Sequence, residues 1–186
     1  MELTGERLIP AALPATWAAL NDPDILKGCI AGCETLERTE PDAFSAVVAV
    51  KVGPVSARFK GNLKMTNVQA PNSYTINFDG QGGVAGFGKG SADVSLADEG
   101  ANTRLRFAAR AQVGGKMAQV GSRLIDAAAA KIAEDFFTAF EARLQPAQAE
   151  GAGVVVPTNP PSTGSKTWMW IAGALVLLAL VYMLMR

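Results

Sequence analysis

Residues 104–144 read RLRFAARAQVGGKMAQVGSRLIDAAAAKIAEDFFTAFEARL, and the change of period at Gly114-Gly115 decides the fold. Ahead of the glycines, Leu105, Phe107, Ala109, Ala111 and Val113 oppose Arg104, Arg106, Arg110 and Gln112, the two-residue alternation of a half-buried strand. Beyond them, Met117, Val120, Leu124, Ala128, Ile132, Phe136 and Phe140 recur at spacings of three and four. That stripe predicts one long amphipathic helix from about Lys116 to Leu144.

Toward the N-terminus the alternation repeats. Val55, Ala57, Phe59, Gly61, Leu63 and Met65 point one way, with Ser56, Arg58, Lys60, Asn62, Lys64 and Thr66 opposite. Phe44 to Val52, Tyr74 to Phe78 and Gly88 to Leu96 behave alike, and Leu3 to Ile9 read as a first strand. Pro14 suits the first turn of a short helix through Trp17 and Leu20; Asp22 and Pro23 offer the cap and first residue of a second, ending near Gly32. About six strands, polar on one face and joined by short turns, form an antiparallel sheet with one wet side. Its apolar side can be buried only against the long helix. The expected fold class is α+β: a curved antiparallel sheet wrapped around a long C-terminal helix.

Residues 146–165, PAQAEGAGVVVPTNPPSTGS, show no periodicity and read as a linker. Trp168 to Met185 carry no charge, and as a helix they would span about 27 Å, close to the thickness of bilayer hydrocarbon. The expected organisation is a folded domain at 1–145, a linker at 146–165 and a transmembrane anchor at 166–186. The first twenty residues lack an apolar signal core. The domain is therefore expected at the cytoplasmic face of the inner (plasma) membrane, held by a single-pass C-terminal helix.

Residues 1–145 hold 15 Lys and Arg against 16 Asp and Glu, a net charge of −1, which gives no electrostatic case for nucleic acid. There is no histidine, which removes Ser-His-Asp and Cys-His nucleophile pairs and most zinc sites. Cys29 and Cys33 are too few for a disulfide framework and have the spacing of neither a zinc ribbon nor a thioredoxin-like centre. No catalytic residue and no metal ligand is expected.

Many inward positions are very small: Ala46, Ala57, Gly61, Gly88, Gly90, Ala92, Ala109 and Ala111 on strands, with Gly121 and Ala127 to Ala129 on the helix. Dense packing would require large side chains there. Two readings follow. Either an internal apolar pocket is lined by Phe59, Leu63, Phe78, Leu105, Phe107, Met117, Val120 and Leu124, or helix and sheet approach closely while glycines let the sheet curve. The glycine-dense run at 80–88 matches no Walker loop and reads as a mobile strand connection at a pocket mouth. Arg58, Lys60, Lys64, Arg104, Arg106 and Arg110 read as a solvated sheet face.

Two stretches, TWAALNDPDILKGCIAGCETLE at 16–37 and GGKMAQVGSRLIDAAAAKIAEDFFTAFEARL at 114–144, resemble the carbon monoxide dehydrogenase CoxG-like family of the START-like (SRPBCC) helix-grip superfamily. The resemblance covers about residues 1–145. The family's loop usually reads Cys-Ile-Pro-Gly-Cys, and here Ala31 stands where the proline would be. The resemblance implies a hydrophobic ligand cavity under the long helix. It also implies a partner, a molybdenum-containing carbon monoxide dehydrogenase or related hydroxylase, recruited to the membrane and coupled to respiratory quinone. The expectation is a non-enzymatic, membrane-anchored adaptor binding a lipophilic ligand, a quinone (menaquinone or ubiquinone) or other lipid, with the bilayer as second partner and no covalent cofactor. The rivals are a cavity-less protein anchor and an aromatic cyclase-like enzyme, the latter requiring an acid and a base inside the cavity.

Overall fold

The computed structural model describes residues 1–145; the expected linker and membrane anchor lie outside the described residues. Among the described residues no helix is long and apolar enough to cross a membrane. The chain begins with β1 (Glu2–Ile9), α1 (Leu13–Leu20) and α2 (Pro23–Cys29), then runs through β2 (Cys33–Glu40), β3 (Ala43–Val52) and β4 (Val55–Gln69). It continues with β5 (Ser73–Gln81), β6 (Phe87–Glu99) and β7 (Asn102–Gly114), and ends in α3 (Ser122–Leu144). The strands form one antiparallel sheet of seven, ordered β1-β7-β6-β5-β4-β3-β2. This is the expected α+β architecture of a curved antiparallel sheet with a C-terminal helix, with one strand more than the alternation shows.

The extra strand is β2, CETLERTE, in which only Leu36 is buried. It closes the sheet edge with charged side chains, as exposed edges commonly do, and its register shifts twice against β3. No period-two apolar pattern survives such a strand. The two short helices form where expected: Asp22 accepts hydrogen bonds from the amides of Asp24 (2.8 Å) and Ile25 (3.2 Å), with Pro23 in the first position of α2.

The long helix starts later than its stripe predicts. Gly115–Val120 is a 3-10 segment, and Gly121, at φ 95°, reverses the backbone before α3 begins. That left-handed conformation is open to glycine and costly for other residues. Met117 and Val120 are therefore not on α3.

The C-terminal half of α3 anchors the core. Phe140 is fully buried and Phe137 nearly so, packing with Ile9, Leu13, Leu20, Leu96 and Leu105. Phe107 stacks on Phe137 with centroids 5.2 Å apart. Arg7 of β1 pairs with Glu134 and lies over the Phe137 ring, 5.7 Å from its centroid. The N-terminal half packs less: Leu124 is 50% exposed and Ile132 43%. The helix meets one end of the sheet tightly and stands off the other.

Candidate functional site: an apolar cleft and an inner cavity

Where α3 stands off, a cleft of about 720 Å³ opens between Ala128 and Ile132 of the helix and β3, β4 and β5. Pairing register builds its floor: Ala46 faces Gly61, Gly61 faces Gly80, and Gly80 faces Gly88, a row of four small residues across β3, β4, β5 and β6. All four line the cleft. Larger apolar side chains flank the row, Val48 and Phe59 on one side, Leu63 and Phe78 on the other.

Both readings of the small residues hold, at different positions. A Cβ on Gly61 would fall 2.4 Å from the Asp79 carbonyl oxygen, so this glycine permits close strand approach. A Cβ on Gly88 would meet nothing within 4 Å, so the absent side chain there leaves open space. Of the other small positions singled out in the sequence, Ala46 and Ala128 also face the cleft.

An inner cavity of about 180 Å³ lies deeper. Leu20 of α1, Leu26 of α2, Leu36 of β2, Val94 of β6, Leu105 and Phe107 of β7, and Phe136 and Phe137 of α3 are among its walls. Ile30, Leu36 and Leu63 border both spaces, so the two adjoin. Left empty, an apolar void of this size costs on the order of 4 kcal/mol.

Of the pocket residues expected from sequence, Phe59, Leu63 and Phe78 line the cleft, and Leu63, Leu105 and Phe107 line the inner cavity. Met117, Val120 and Leu124 line neither. Met117 is buried in the 3-10 segment, Val120 is half-buried beside it, and Leu124 is half exposed at the start of α3. A continuous helical stripe assigned all three inward; the backbone reversal at Gly121 breaks that continuity. Conversely, Ile30 to Gly32 and Leu36 contribute wall that the sequence does not announce, because β2 carries no strand alternation.

The polar groups are few and placed differently. At the cleft, the Lys131 ammonium donates to both carboxylate oxygens of Asp135 (3.0 and 2.9 Å), and Lys51 and Asp79 also border the space. Helical periodicity puts Asp135 in solvent; it is half-buried at the cleft. The walls of the inner cavity carry one side-chain oxygen, the hydroxyl of Tyr74. Tyr74 is 4% exposed and edge-on to Trp17, with centroids 5.5 Å apart, and burial pushes its phenol well above the usual range.

The outer face is laced with ion pairs. Arg106 and Arg104 bracket Glu6 and hold its carboxyl below the usual range, Arg110 pairs with Glu2, and Arg58 with Glu34. Cys29 is buried and Cys33 half-buried, both free, and burial raises both thiols, so neither is an activated nucleophile. Among the described residues no cluster of His, Cys, Asp or Glu could hold a metal ion.

Several solved structures share this architecture. A conserved protein from Geobacillus kaustophilus aligns with a TM-score of 0.72 at 27% identity, over 77% of this chain and 95% of that one. A START superfamily protein from Mycobacterium smegmatis aligns at 0.58 and 14% identity, over 77% and 97%. The Zhui aromatase/cyclase from Streptomyces sp. R1128 aligns at 0.56 and 10% identity, over 78% and 93%. At these last two identities the likeness is one of fold. No curated protein matches the chain. The family model for the carbon monoxide dehydrogenase protein CoxG matches residues 5–145, the whole of the sheet, its two short helices and α3, and the chain belongs to that family.

Proposed function

We propose that this protein binds a lipophilic molecule of the respiratory quinone class, menaquinone or ubiquinone, between its sheet and α3, and does no chemistry on it. The observation that carries the reading is the 720 Å³ cleft adjoining an apolar inner cavity, inside a domain otherwise packed tightly around Phe137 and Phe140. Ligand pockets commonly have this size and an apolar lining. Family membership supports a link to a carbon monoxide dehydrogenase-type molybdenum enzyme. The charge-free run from Trp168 to Met185 supports a membrane anchor at the cytoplasmic face, which would raise the effective concentration of a bilayer-borne ligand near the cleft.

Native mass spectrometry of the full-length chain, purified from membranes and then exposed to menaquinone or ubiquinone, tests the ligand. A retained lipophile or stoichiometric uptake is expected; a chain that emerges empty and takes up neither would sink the proposal. Deleting residues 167–186 should release the domain from membranes without loss of uptake. Co-purification from membranes with a molybdenum hydroxylase tests the partner.

A further inference from the structure

Tyr74 supplies the one side-chain hydrogen-bond donor in the inner cavity. Its side chain comes from an inward position of β5, between the outward Ser73 and Thr75, and lies among Leu36, Phe44, Ala46 and Met65. No residue among those described hydrogen-bonds its hydroxyl, and desolvation alone displaces its titration. The oxygen is not sealed within packed atoms, because among the described residues no enclosed side-chain oxygen or nitrogen lacks a partner. It therefore meets open space. An ordered water needs two to four polar partners, and this wall offers one hydroxyl, so water satisfies it poorly.

We infer that Tyr74 donates a hydrogen bond to a carbonyl oxygen of the bound lipophile, whose ring enters the inner cavity while its tail runs out through the cleft. This rests on the proposed quinone-class ligand and adds its orientation and its polar contact. The size agrees: an apolar cavity of about 150 Å³ accepts a benzene ring, and this one is about 180 Å³. The passage outward lies between Ile30, Leu36 and Leu63, the residues that border both spaces. An isoprenoid chain leaving that way follows the side-chain-free row of Gly61, Gly80 and Gly88 toward Ile132. A donor at the closed end and apolar wall elsewhere selects a molecule with a carbonyl on its ring and no charge.

The test uses two probes of one shape, duroquinone and durene, both four-methyl rings, of which only the first carries carbonyls. Full substitution of the quinone ring keeps it from adding to Cys29 or Cys33. The full-length chain should bind duroquinone more tightly than durene. Tyr74→Phe should weaken duroquinone about 3- to 10-fold, the range of a typical hydrogen bond, and leave durene within about twofold. In infrared difference spectra one duroquinone carbonyl stretch should fall in frequency on binding to the wild-type chain and return in Tyr74→Phe. An unshifted carbonyl in the wild-type chain, or an unchanged preference in the variant, would overturn the Tyr74 contact and leave the lipophile reading standing. Failure of the wild-type chain to bind either probe would remove both.

Discussion

Thr16 and Thr103, 87 residues apart, bring their hydroxyl oxygens to 3.1 Å in full burial, and the Thr103 hydroxyl donates onward to the Ala11 carbonyl at 2.7 Å. Through these bonds α1 is held to β7 at the closed end of the grip. Buried polar groups are tolerated only when paired, so the three act as one unit. Thr103→Val would leave the Ala11 carbonyl without its strongest partner, and a loss of about 1–3 kcal/mol is expected in urea unfolding.

Phe140 has no exposure and lies where α3 meets β1, β7 and α1. Its truncation to Ala should cost about 3–5 kcal/mol, the cost of removing an aromatic core side chain that the surroundings cannot replace. Ile132→Ala, eight residues earlier on the same helix but 43% exposed at the cleft, should cost far less. Parallel denaturation of the two variants measures the contrast between the packed and lifted halves of α3.

Gly88 offers a way to close the cleft without disturbing the fold. A side chain there points into open space, so Gly88→Leu should fold with an unchanged far-ultraviolet circular dichroism spectrum. In the complex the added volume competes with the ligand, at an overpacking cost of about 1–3 kcal/mol, or about tenfold or more in affinity. Uptake of menaquinone or ubiquinone should fall accordingly. Undiminished uptake would show that the ligand lies elsewhere.

Stability should decline at high pH. Burial raises the Cys29 and Cys33 thiols above their ordinary 9.0 and the Tyr74 phenol above its ordinary 10.0. A group whose folded pKa is raised contributes stability that is complete below its unfolded pKa and is lost as pH rises past it. Melting temperature should therefore begin to fall near pH 9 and steepen above pH 10. Tyr74→Phe should remove the steeper part, and near neutral pH it should be as stable as the wild type or more so, since it buries no hydroxyl. At the acid end the sign reverses: Glu6, held down by Arg106 and Arg104, favours folding above about pH 4.5, and that contribution fades on acidification. Glu6→Gln should flatten the acid limb.

Much of the grip was legible in the chain because each strand has one wet face and one dry face. The run Val55 to Met65 assigns its own inward side, as do Tyr74 to Phe78 and Leu105 to Val113, and Asp22-Pro23 marks a helix start by side-chain chemistry alone. β2 escaped because an edge strand with one buried residue has no alternation to show. The start of α3 escaped because a 3-10 turn with apolar residues three apart, Met117 and Val120, resembles a helix turn until the φ of Gly121 is known. For the same reason the pocket residues divided: the strand positions Phe59, Leu63, Phe78, Leu105 and Phe107 face the cavities, while Met117, Val120 and Leu124 do not.

By itself, then, the sequence determined which residues turn inward on each strand, where the short helices begin and that a terminal helix must cover the sheet. These are local matters of period, capping and solvent preference, fixed within ten or so residues. Only the tertiary structure decided that Ala46, Gly61, Gly80 and Gly88 fall in one row, that Tyr74 is the single hydroxyl in the inner cavity wall, and that α3 grips one end of the sheet while leaving the other open. Strand register and helix placement are set by the joint packing of segments distant in sequence, and a pattern that names a residue's side does not name its neighbour.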